Sequence, residues 1–279
     1  MTNLETGKQT PLTDDPLEHV HADGTRHRHH PEPDHHDHHH DHEHTHDHAQ
    51  HHEPAPVSTI DLNTRILAKN DAAAAQNRAW FKGREILAIN LMSAPGAGKT
   101  TLLERTIASL KGDHKVFVLE GDQATDHDGA RMKAAGAPAV QINTGQGCHL
   151  DADMLARGIG ELKPASGSIL FIENVGNLVC PALFDLGEAR RVAILSVTEG
   201  DDKPLKYPHM FRAADLMLLN KIDLAPHVRF DRQRAIAFAH QVNPAIKVLE
   251  LSAQTGEGVD AWLRWIDAEH ATVRAEAFV

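Results

Sequence analysis

The stretch ILAINLMSAPGAGKTTLLERTIASL, residues 86–110, decides the fold. Its apolar opening, ILAINLM, predicts a buried β-strand, and its second half, TTLLERTIASL, predicts an amphipathic helix. Between them, SAPGAGKT nearly matches the pattern G-x-x-x-x-G-K-[ST], in which glycines let backbone N–H groups surround phosphate oxygens at a helix N-terminus. Ser93 departs from the pattern, because a glycine is expected there. Strand, loop and helix in this order predict a P-loop; a turn that contains Gly-Lys-Thr by chance is the alternative.

The P-loop pattern assigns roles to the residues that follow the strand. The Lys99 ammonium would reach the outer phosphates of a nucleotide, which makes Lys99 a catalytic candidate, and the Thr100 hydroxyl would ligate Mg²⁺. The predicted phosphate-binding residues are Gly96, Ala97, Gly98, Lys99, Thr100 and Thr101.

The first 57 residues have the composition of a disordered, His-rich, metal-binding leader. They contain almost no large apolar side chains, and sixteen of the chain's 23 histidines lie between His19 and His52. Such a segment cannot bury enough apolar surface to offset the entropy lost on ordering. Imidazoles interleaved with carboxylates favour Ni²⁺, Cu²⁺, Zn²⁺ and Co²⁺; an expression tag or a merely solvated run is the alternative. The predicted leader ligands for nickel are His35, His36, His38, His39, His40, His42, His44, His46 and His48.

Charge and cysteine content exclude several classes of protein. A formal net charge of -11 argues against a general nucleic-acid binder, because phosphate affinity needs clustered Lys and Arg. The opening MTNLETGKQT is not a signal peptide, and no apolar run approaches the ~18 residues of a membrane span, so we expect a cytoplasmic protein without a membrane partner. Cys148 and Cys180 are too few for a disulfide framework and suit metal binding or catalysis better.

Seven apolar segments predict an α/β fold with a mostly parallel, doubly wound sheet and helices on both faces. The six strands after the first are expected at residues 115–119, 140–143, 169–172, 191–198, 216–219 and 248–251. A helix over residues 61–80, capped by Asp61, would pack beside the domain or against a partner. Trp262 and Trp265 are expected in the core rather than in a site.

Acidic residues follow two predicted strands at the sheet edge where doubly wound folds bind ligands. Asp122 is a candidate for the Mg²⁺ shell or for orienting an attacking water, with a solvated turn as the alternative. Glu173 would act through a water, three residues before Gly176, whose N–H could meet a γ-phosphate. Asp122 and Glu173 therefore join Lys99 as catalytic candidates and Thr100 as Mg²⁺ ligands.

The segment NKID, residues 220–223, supplies a guanine-reading motif after the sixth strand. The Asp223 carboxylate can accept hydrogen bonds from N1–H and the exocyclic amine of guanine, whereas adenine offers neither donor. Lys221 would lie along the base, Asn220 would brace the loops, and Ser252 and Ala253 would form a second base-contacting loop. The predicted nucleotide is GTP, and residues 58–279 are predicted to form a P-loop GTPase domain with an N-terminal helix.

Cys148, His149 and Cys180 form a candidate metal site. Both cysteines follow strands of one parallel sheet, so both are expected at its ligand-binding edge. Two thiolates and an imidazole suit Zn²⁺ or Ni²⁺, and square-planar geometry would favour nickel. One subunit offers at most three ligands, whereas a two-fold interface could offer six. The alternative is that the cysteines are small buried hydrophobes and His149 a satisfied polar residue.

Seven motifs together resemble the hydrogenase nickel-incorporation GTPases, the HypB family of maturation factors. They are SAPGAGKTTLL, EGDQATDHD, GQGCHLD, FIENVGNLVCP, EGDDKPLKYP, NKIDL and SAQTGEG, and the likeness extends over about residues 63–279. The resemblance implies a homodimer when GTP or metal is bound, with Cys148, His149 and Cys180 at its interface, and a leader that stores nickel. It also implies a nickel-transfer partner of the HypA type and a hydrogenase large-subunit precursor. The chain lacks the N-terminal cysteine motif that other members use as a tight nickel site.

The expected function is that of a Mg²⁺-dependent GTPase that stores nickel and delivers it to a hydrogenase. Turnover should be slow because no arginine finger is identifiable, although Lys203 or Lys206 could contribute across a dimer. A urease-type nickel-insertion GTPase is an alternative, but that family is marked by Cys-Pro-His and this chain has Cys148-His149-Leu150. A nickel-storage protein with a regulatory nucleotide domain is the other alternative.

Overall fold

The computed structural model describes residues 59–122, 127–145 and 147–277, together with two short strands, Glu18–Val20 (β1) and Arg26–Arg28 (β2). Within these ranges, side chains are described for residues 64–121, 131–145 and 147–277. The chain divides into two units, Met1–Pro54 and Ala55–Val279. In the first unit β1 and β2 pair antiparallel, with Glu18 opposite Arg28. The predicted leader and its nickel-binding histidines otherwise lie outside the described residues and stay a prediction.

The second unit is built on a seven-stranded sheet in which every pairing is parallel. Its strands are Leu87–Ser93 (β3), Val116–Asp122 (β4), Ala139–Asn143 (β5), Ile169–Glu173 (β6), Arg190–Ser196 (β7), Leu216–Asn220 (β8) and Lys247–Glu250 (β9). Their order across the sheet is β5-β4-β6-β3-β7-β8-β9. β3 is the central strand, and all seven of its residues are buried. Strands covered on both faces have continuous apolar runs, which is why the sequence predicts them well.

Helices cover both faces of the sheet, so the predicted doubly wound α/β fold is confirmed. They are Thr59–Lys82 (α1), Lys99–Leu110 (α2), His127–Ala135 (α3), Ala152–Leu162 (α4), Cys180–Leu183 (α5), Lys203–Lys206 (α6), Pro208–Ala213 (α7), Arg232–Val242 (α8) and Val259–Glu276 (α9), with a 3-10 helix at Ile222–His227. Alternate residues of β3 face opposite layers: Leu87, Ile89 and Leu91 share a cluster with α2 and α9, and Ala88 shares one with α1 and α4. Among the helices described, none is both long and apolar enough to cross a membrane.

Two sequence predictions about packing have clear outcomes. Trp262 and Trp265 are 0% and 8% exposed in the core, as expected. α1 begins at Thr59, so Asp61 lies in its first turn and not at the predicted capping position. The helix packs on its own domain, because the buried Asn77 Nδ2 donates to the carbonyls of Ala152 at 2.9 Å and Leu186 at 3.1 Å.

The strand order determines where the site lies. Chain order passes from β3 outward to β4 and β5, returns to β6, and then crosses β3 to reach β7. The carboxyl ends of all these strands share one edge, and a crevice opens there because the loops after the neighbouring strands β3 and β7 lead to opposite sides of the sheet. The predicted site loops follow β3, β4, β5, β6, β8 and β9, so the fold brings them to this edge.

Candidate functional site

The loop between β3 and α2 borders a cavity of about 560 Å³ at this edge. Gly96 and Gly98 have φ values of 74° and 97°, in the left-handed region that favours glycine. A Cβ atom on Gly98 would lie 2.6 Å from Nδ2 of Asn220, so a side chain does not fit there. α2 begins at Lys99, directly after the loop, and the first N–H groups of a helix have no intrahelical acceptor. The loop and helix start together form an anion-binding cradle.

Ser93, the residue that departs from the glycine pattern, contacts the catalytic candidate. Lys99 Nζ donates to Ser93 Oγ at 2.8 Å, and Ser93 Oγ donates to the carbonyl of Ala94 at 2.7 Å. Ser93 is 0% and Lys99 9% exposed. The lysine is therefore oriented along the phosphate loop by a hydroxyl that glycine could not supply.

Two glutamates line the cavity at the ends of neighbouring strands. Glu120 in β4 and Glu173 in β6 are register partners, and both are buried. The Thr100 hydroxyl donates to Glu173 Oε1 at 3.0 Å. A hydroxyl and carboxylates are the hard oxygen donors that Mg²⁺ prefers, so this donor set fits the ion. Asp122 ends β4, but its side chain is outside the described set, and its role stays a prediction.

Sequence reasoning did not identify two charged residues that line this cavity, Glu120 and Arg131. The Arg131 guanidinium donates to both carboxylate oxygens of Glu104, at 2.8 and 2.7 Å. Glu120 could have been found from strand register, since it stands opposite Glu173. Arg131 reaches the cavity only through the packing of α3, and no motif marks it.

Asn220 joins the guanine motif to the phosphate loop. Its Nδ2 donates to the carbonyl of Ala97 at 2.9 Å, and its Oδ1 accepts from the N–H groups of Lys221 at 2.8 Å and Ala253 at 3.0 Å. Lys221 Nζ donates to the Gly96 carbonyl at 2.7 Å. One buried amide thus holds three predicted nucleotide-binding loops together, which is the bracing role that the sequence suggests.

The predicted site residues divide into a cavity wall and a group outside it. Those that line the cavity are Gly96, Gly98, Lys99, Thr100, Thr101, Glu173, Gly176 and Lys221. Those that do not line it are Ala97, Asn220, Asp223, Ser252 and Ala253, of which Ala97 and Ala253 are hydrogen-bonded to the Asn220 side chain. Asp223 Oδ1 is buried and has no hydrogen-bond partner among the described residues. A buried carboxylate oxygen without a donor costs free energy, so this atom is suited to a donor from a ligand.

Cys148, His149 and Cys180 converge on the loops that follow β5 and β6. One donor atom from each lies within 4.8 Å of the others, the one such group found in the part of the chain that the structure describes. Cys148 Sγ donates to Cys180 Sγ at 2.7 Å and lies 3.7 Å from His149 Nδ1. The His149 ring stacks on Phe184 with centroids 3.8 Å apart. All three ligand candidates are partly exposed, so an ion could reach them.

The ligand candidates of this cluster differ in how readily each loses its proton. Burial lowers the pKa of His149, against the opposing charge of Asp151, so the imidazole favours its neutral, metal-binding form. The hydrogen bond with Cys148 is the largest cause that raises the pKa of the Cys180 thiol. A bound divalent ion would offset the repulsion between two thiolates.

The sheet, the glycine loop and the NKID segment define a P-loop nucleotide-binding protein with the GTPase fold. Residues 87–250 match the family model described as CobW/HypB/UreG, nucleotide-binding domain. The chain belongs to the HypB family of hydrogenase maturation factors. Hydrogenase maturation factor HypB of Azotobacter chroococcum is 59% identical over 217 residues, which cover 77% of this chain and 71% of that protein.

Two solved HypB structures are similar to this chain. HypB of Archaeoglobus fulgidus is 40% identical with a TM-score of 0.69, and the match covers 73% of this chain and 100% of that one. HypB of Helicobacter pylori, solved in complex with nickel, is 36% identical with a TM-score of 0.68, covering 73% and 96%.

Proposed function

We propose that this chain is a GTP-hydrolysing nickel metallochaperone, which stores nickel and delivers it during maturation of [NiFe]-hydrogenase. One observation carries the proposal: the segment 173–180 starts at Glu173, which accepts from Thr100 in the nucleotide cavity, and ends at Cys180, which contacts Cys148. A single short loop thus borders both the nucleotide and the thiol cluster. The names of the relatives as hydrogenase maturation factors, and the nickel in the Helicobacter pylori structure, support the same assignment.

Hydrolysis would proceed by in-line attack of water on the γ-phosphorus. A new P–O bond forms, the bond to the β–γ bridging oxygen breaks, and the electron pair leaves with GDP. Backbone N–H groups of residues 96–100 and the Lys99 ammonium stabilise the charge on the phosphate oxygens. Glu173 or Asp122 orients the water, and the Gly176 N–H contacts the γ-phosphate.

Mg²⁺ would be held by Thr100, Asp122 and Glu173, and when bound it neutralises charge on the β- and γ-phosphate oxygens. Arg131 lines the cavity but pairs with Glu104, so we do not assign it to the transition state. Turnover is therefore expected to be slow, with Lys203 or Lys206 of a second copy as the additional positive charge.

Nickel is the cargo of this reaction cycle. Two thiolates and a neutral imidazole on each subunit suit Ni²⁺, with Zn²⁺ as a competitor, and two copies related by a two-fold axis would bring six donors together. Loss of the γ-phosphate would move the loop after Glu173, change the ligand set and release nickel. The recipients are a HypA-type transfer partner and the hydrogenase large-subunit precursor, with the cytoplasm as the expected location.

Lys99→Ala tests the hydrolytic half of the proposal. Loss of one preorganised charge at the phosphates should lower kcat for GTP by about 100-fold or more. Lys247→Ala is the control, because Lys247 is exposed at the amino end of β9, on the opposite edge of the sheet. Hydrolysis that persists in Lys99→Ala would remove the catalytic assignment, while nickel binding should be the same in both variants.

Light scattering on the full chain tests the assembly. We expect a monomer with GDP and a dimer with a non-hydrolysable GTP analogue and Ni²⁺. The dimer should fail to form in Cys148→Ser, because one thiolate is lost from each half of the site. An unchanging monomer would leave a GTPase with a histidine store and would exclude a metal site shared between two copies.

A further inference from the structure

Asn174, the residue directly after Glu173, connects the nucleotide loop to the loop that carries Cys148 and His149. Its side chain is 1% exposed. Its Oδ1 accepts from the N–H of Leu150 at 3.2 Å and from that of Val175 at 3.0 Å. Its own N–H donates to the Leu91 carbonyl of β3 at 3.1 Å, which fixes the start of the loop to the central strand.

A chain of buried groups sets the direction of the Asn174 amide. Asn174 Nδ2 donates to Asn90 Oδ1 at 3.2 Å, and Asn90 Nδ2 donates to Glu188 Oε1 at 3.0 Å. An ionised carboxylate only accepts hydrogen bonds, so the NH₂ group of Asn90 must face Glu188 and its carbonyl must face Asn174. The carbonyl of Asn174 is therefore directed at Leu150 and Val175.

Leu150 ends the loop after β5 that carries Cys148 and His149, and its position is fixed by packing. It follows His149 and is 0% exposed. A Cβ atom on Gly121 would lie 2.6 Å from Leu150 Cγ, so the leucine side chain packs directly onto the backbone of β4. The buried Leu150 N–H has its acceptor in Asn174, and a buried N–H that loses its acceptor is unfavourable, because no water replaces the lost hydrogen bond. The position of Leu150 is thus linked energetically to that of Asn174.

We propose that Asn174 is the positioning residue that transmits the nucleotide state to the Cys148–His149 half of the nickel site. This inference rests on the proposed function. Cys180 belongs to the same loop as Glu173 and moves with it through the chain, whereas Cys148 and His149 belong to the loop after β5. When the loop at Glu173 shifts, the Asn174 carbonyl must carry the Leu150 N–H with it or break the hydrogen bond. Either event changes the distance between the two halves of the ligand set.

Thiolate-to-nickel absorption measures this site in the full chain, because Cys148 and Cys180 are the only cysteines and the leader has none. The apparent Kd for Ni²⁺ is measured with GDP and with a non-hydrolysable GTP analogue, and the ratio of the two values reports coupling. Coupling between sites is typically 5–150-fold, and we expect Asn174→Ala to bring the ratio close to one. A general loss of nickel affinity raises both Kd values by the same factor and leaves their ratio unchanged.

Asn243→Ala is the matched control, since its amide also donates to backbone carbonyls, those of Phe211 at 3.1 Å and Ala214 at 3.0 Å at the end of α7, near the other end of the sheet. It should keep the wild-type ratio. Asn90→Ser is a second test, because it frees the Asn174 amide to turn, and we expect it to reduce the ratio as well. The rate of thiol alkylation in the two nucleotide states, without nickel, gives a reading that does not depend on metal.

The outcomes separate the inference from the function it rests on. The role of Asn174 is overturned if Asn174→Ala and Asn90→Ser both keep the Kd ratio of the wild type. It is also overturned if the Kd for Ni²⁺ in the wild type is the same in both nucleotide states. Both results leave GTP hydrolysis and nickel binding standing. A wild-type chain without GTP hydrolysis, or without thiolate–nickel absorption, contradicts the proposed function itself.

Discussion

At the scale of single residues, we propose that Asp223 carries the choice of base. Its Oδ1 is buried and has no protein donor among the described side chains, so a guanine N–H is the natural donor. Asp223→Asn would replace an acceptor by an NH₂ group that faces the C2 amine of guanine. Xanthine has a carbonyl at C2 and can accept from that NH₂.

We therefore expect Asp223→Asn to lose kcat/KM for GTP, on the order of 10⁴-fold, and to gain activity with XTP. Steady-state hydrolysis of both nucleotides measures the change. Asp260→Asn is a suitable control, because this aspartate is exposed in the first turn of α9. An undiminished preference for GTP would mean that Asp223 does not contact the base.

At the scale of elements, a histidine pair joins α9 to the loop after α2: His270 is buried in α9, and His114 is half-buried between α2 and β4. His270 Nε2 donates to the carbonyl of Gly167 at 3.1 Å, and its ring lies 5.1 Å from that of His114, which contacts Asp267 at 2.9 Å. Burial lowers the pKa of His270; His114 and Arg274 add to this, and the Gly167 hydrogen bond and Asp267 oppose it. The folded state therefore favours neutral His270.

Protonation of His270 should destabilise the fold. The pKa of His270 is lower in the folded than in the unfolded chain. The contribution of neutral His270 to the free energy of unfolding is therefore complete above pH 6.5 and is lost as the pH falls through the folded-state pKa. Urea unfolding at pH 7.5 and 5.5 should show that the free energy of unfolding decreases less between these pH values in His270→Gln than in the wild type. His240→Gln, at an exposed histidine of α8, should behave like wild type. Equal pH dependence in all three proteins would contradict this.

The helices and strands differ in how well the sequence predicts them. Every strand of the large sheet is found within a few residues, because burial on both faces leaves a continuous apolar run. The sequence does not predict α8, since its fully buried side chains are only those of Ala235 and Ala239, which leaves a weak apolar pattern. The P-loop and NKID residues were found because their chemistry requires fixed spacing. The sequence does not identify Asn174 and Arg131, since their roles depend on neighbours that are distant in sequence.

At the scale of the whole molecule, the chain separates into units at Pro54. Deletion of residues 1–57 should remove most bound nickel, because sixteen of 23 histidines lie there, and should leave GTP hydrolysis unchanged. Equilibrium dialysis and a phosphate-release assay measure the two effects. Loss of hydrolysis on truncation would show that the leader supports the domain.

The central position of β3 has a consequence for synthesis on the ribosome. β3 is the first strand of the large sheet to be made, yet Leu87 pairs with Ile169, 82 residues later, and Ile89 pairs with Arg190, 101 residues later. At synthesis rates of about 5–20 residues per second, this strand waits roughly 4–16 s for its first neighbour. During that interval the nascent chain exposes LAINLMS without a sheet partner, so we expect this segment to be where chaperones bind the emerging protein.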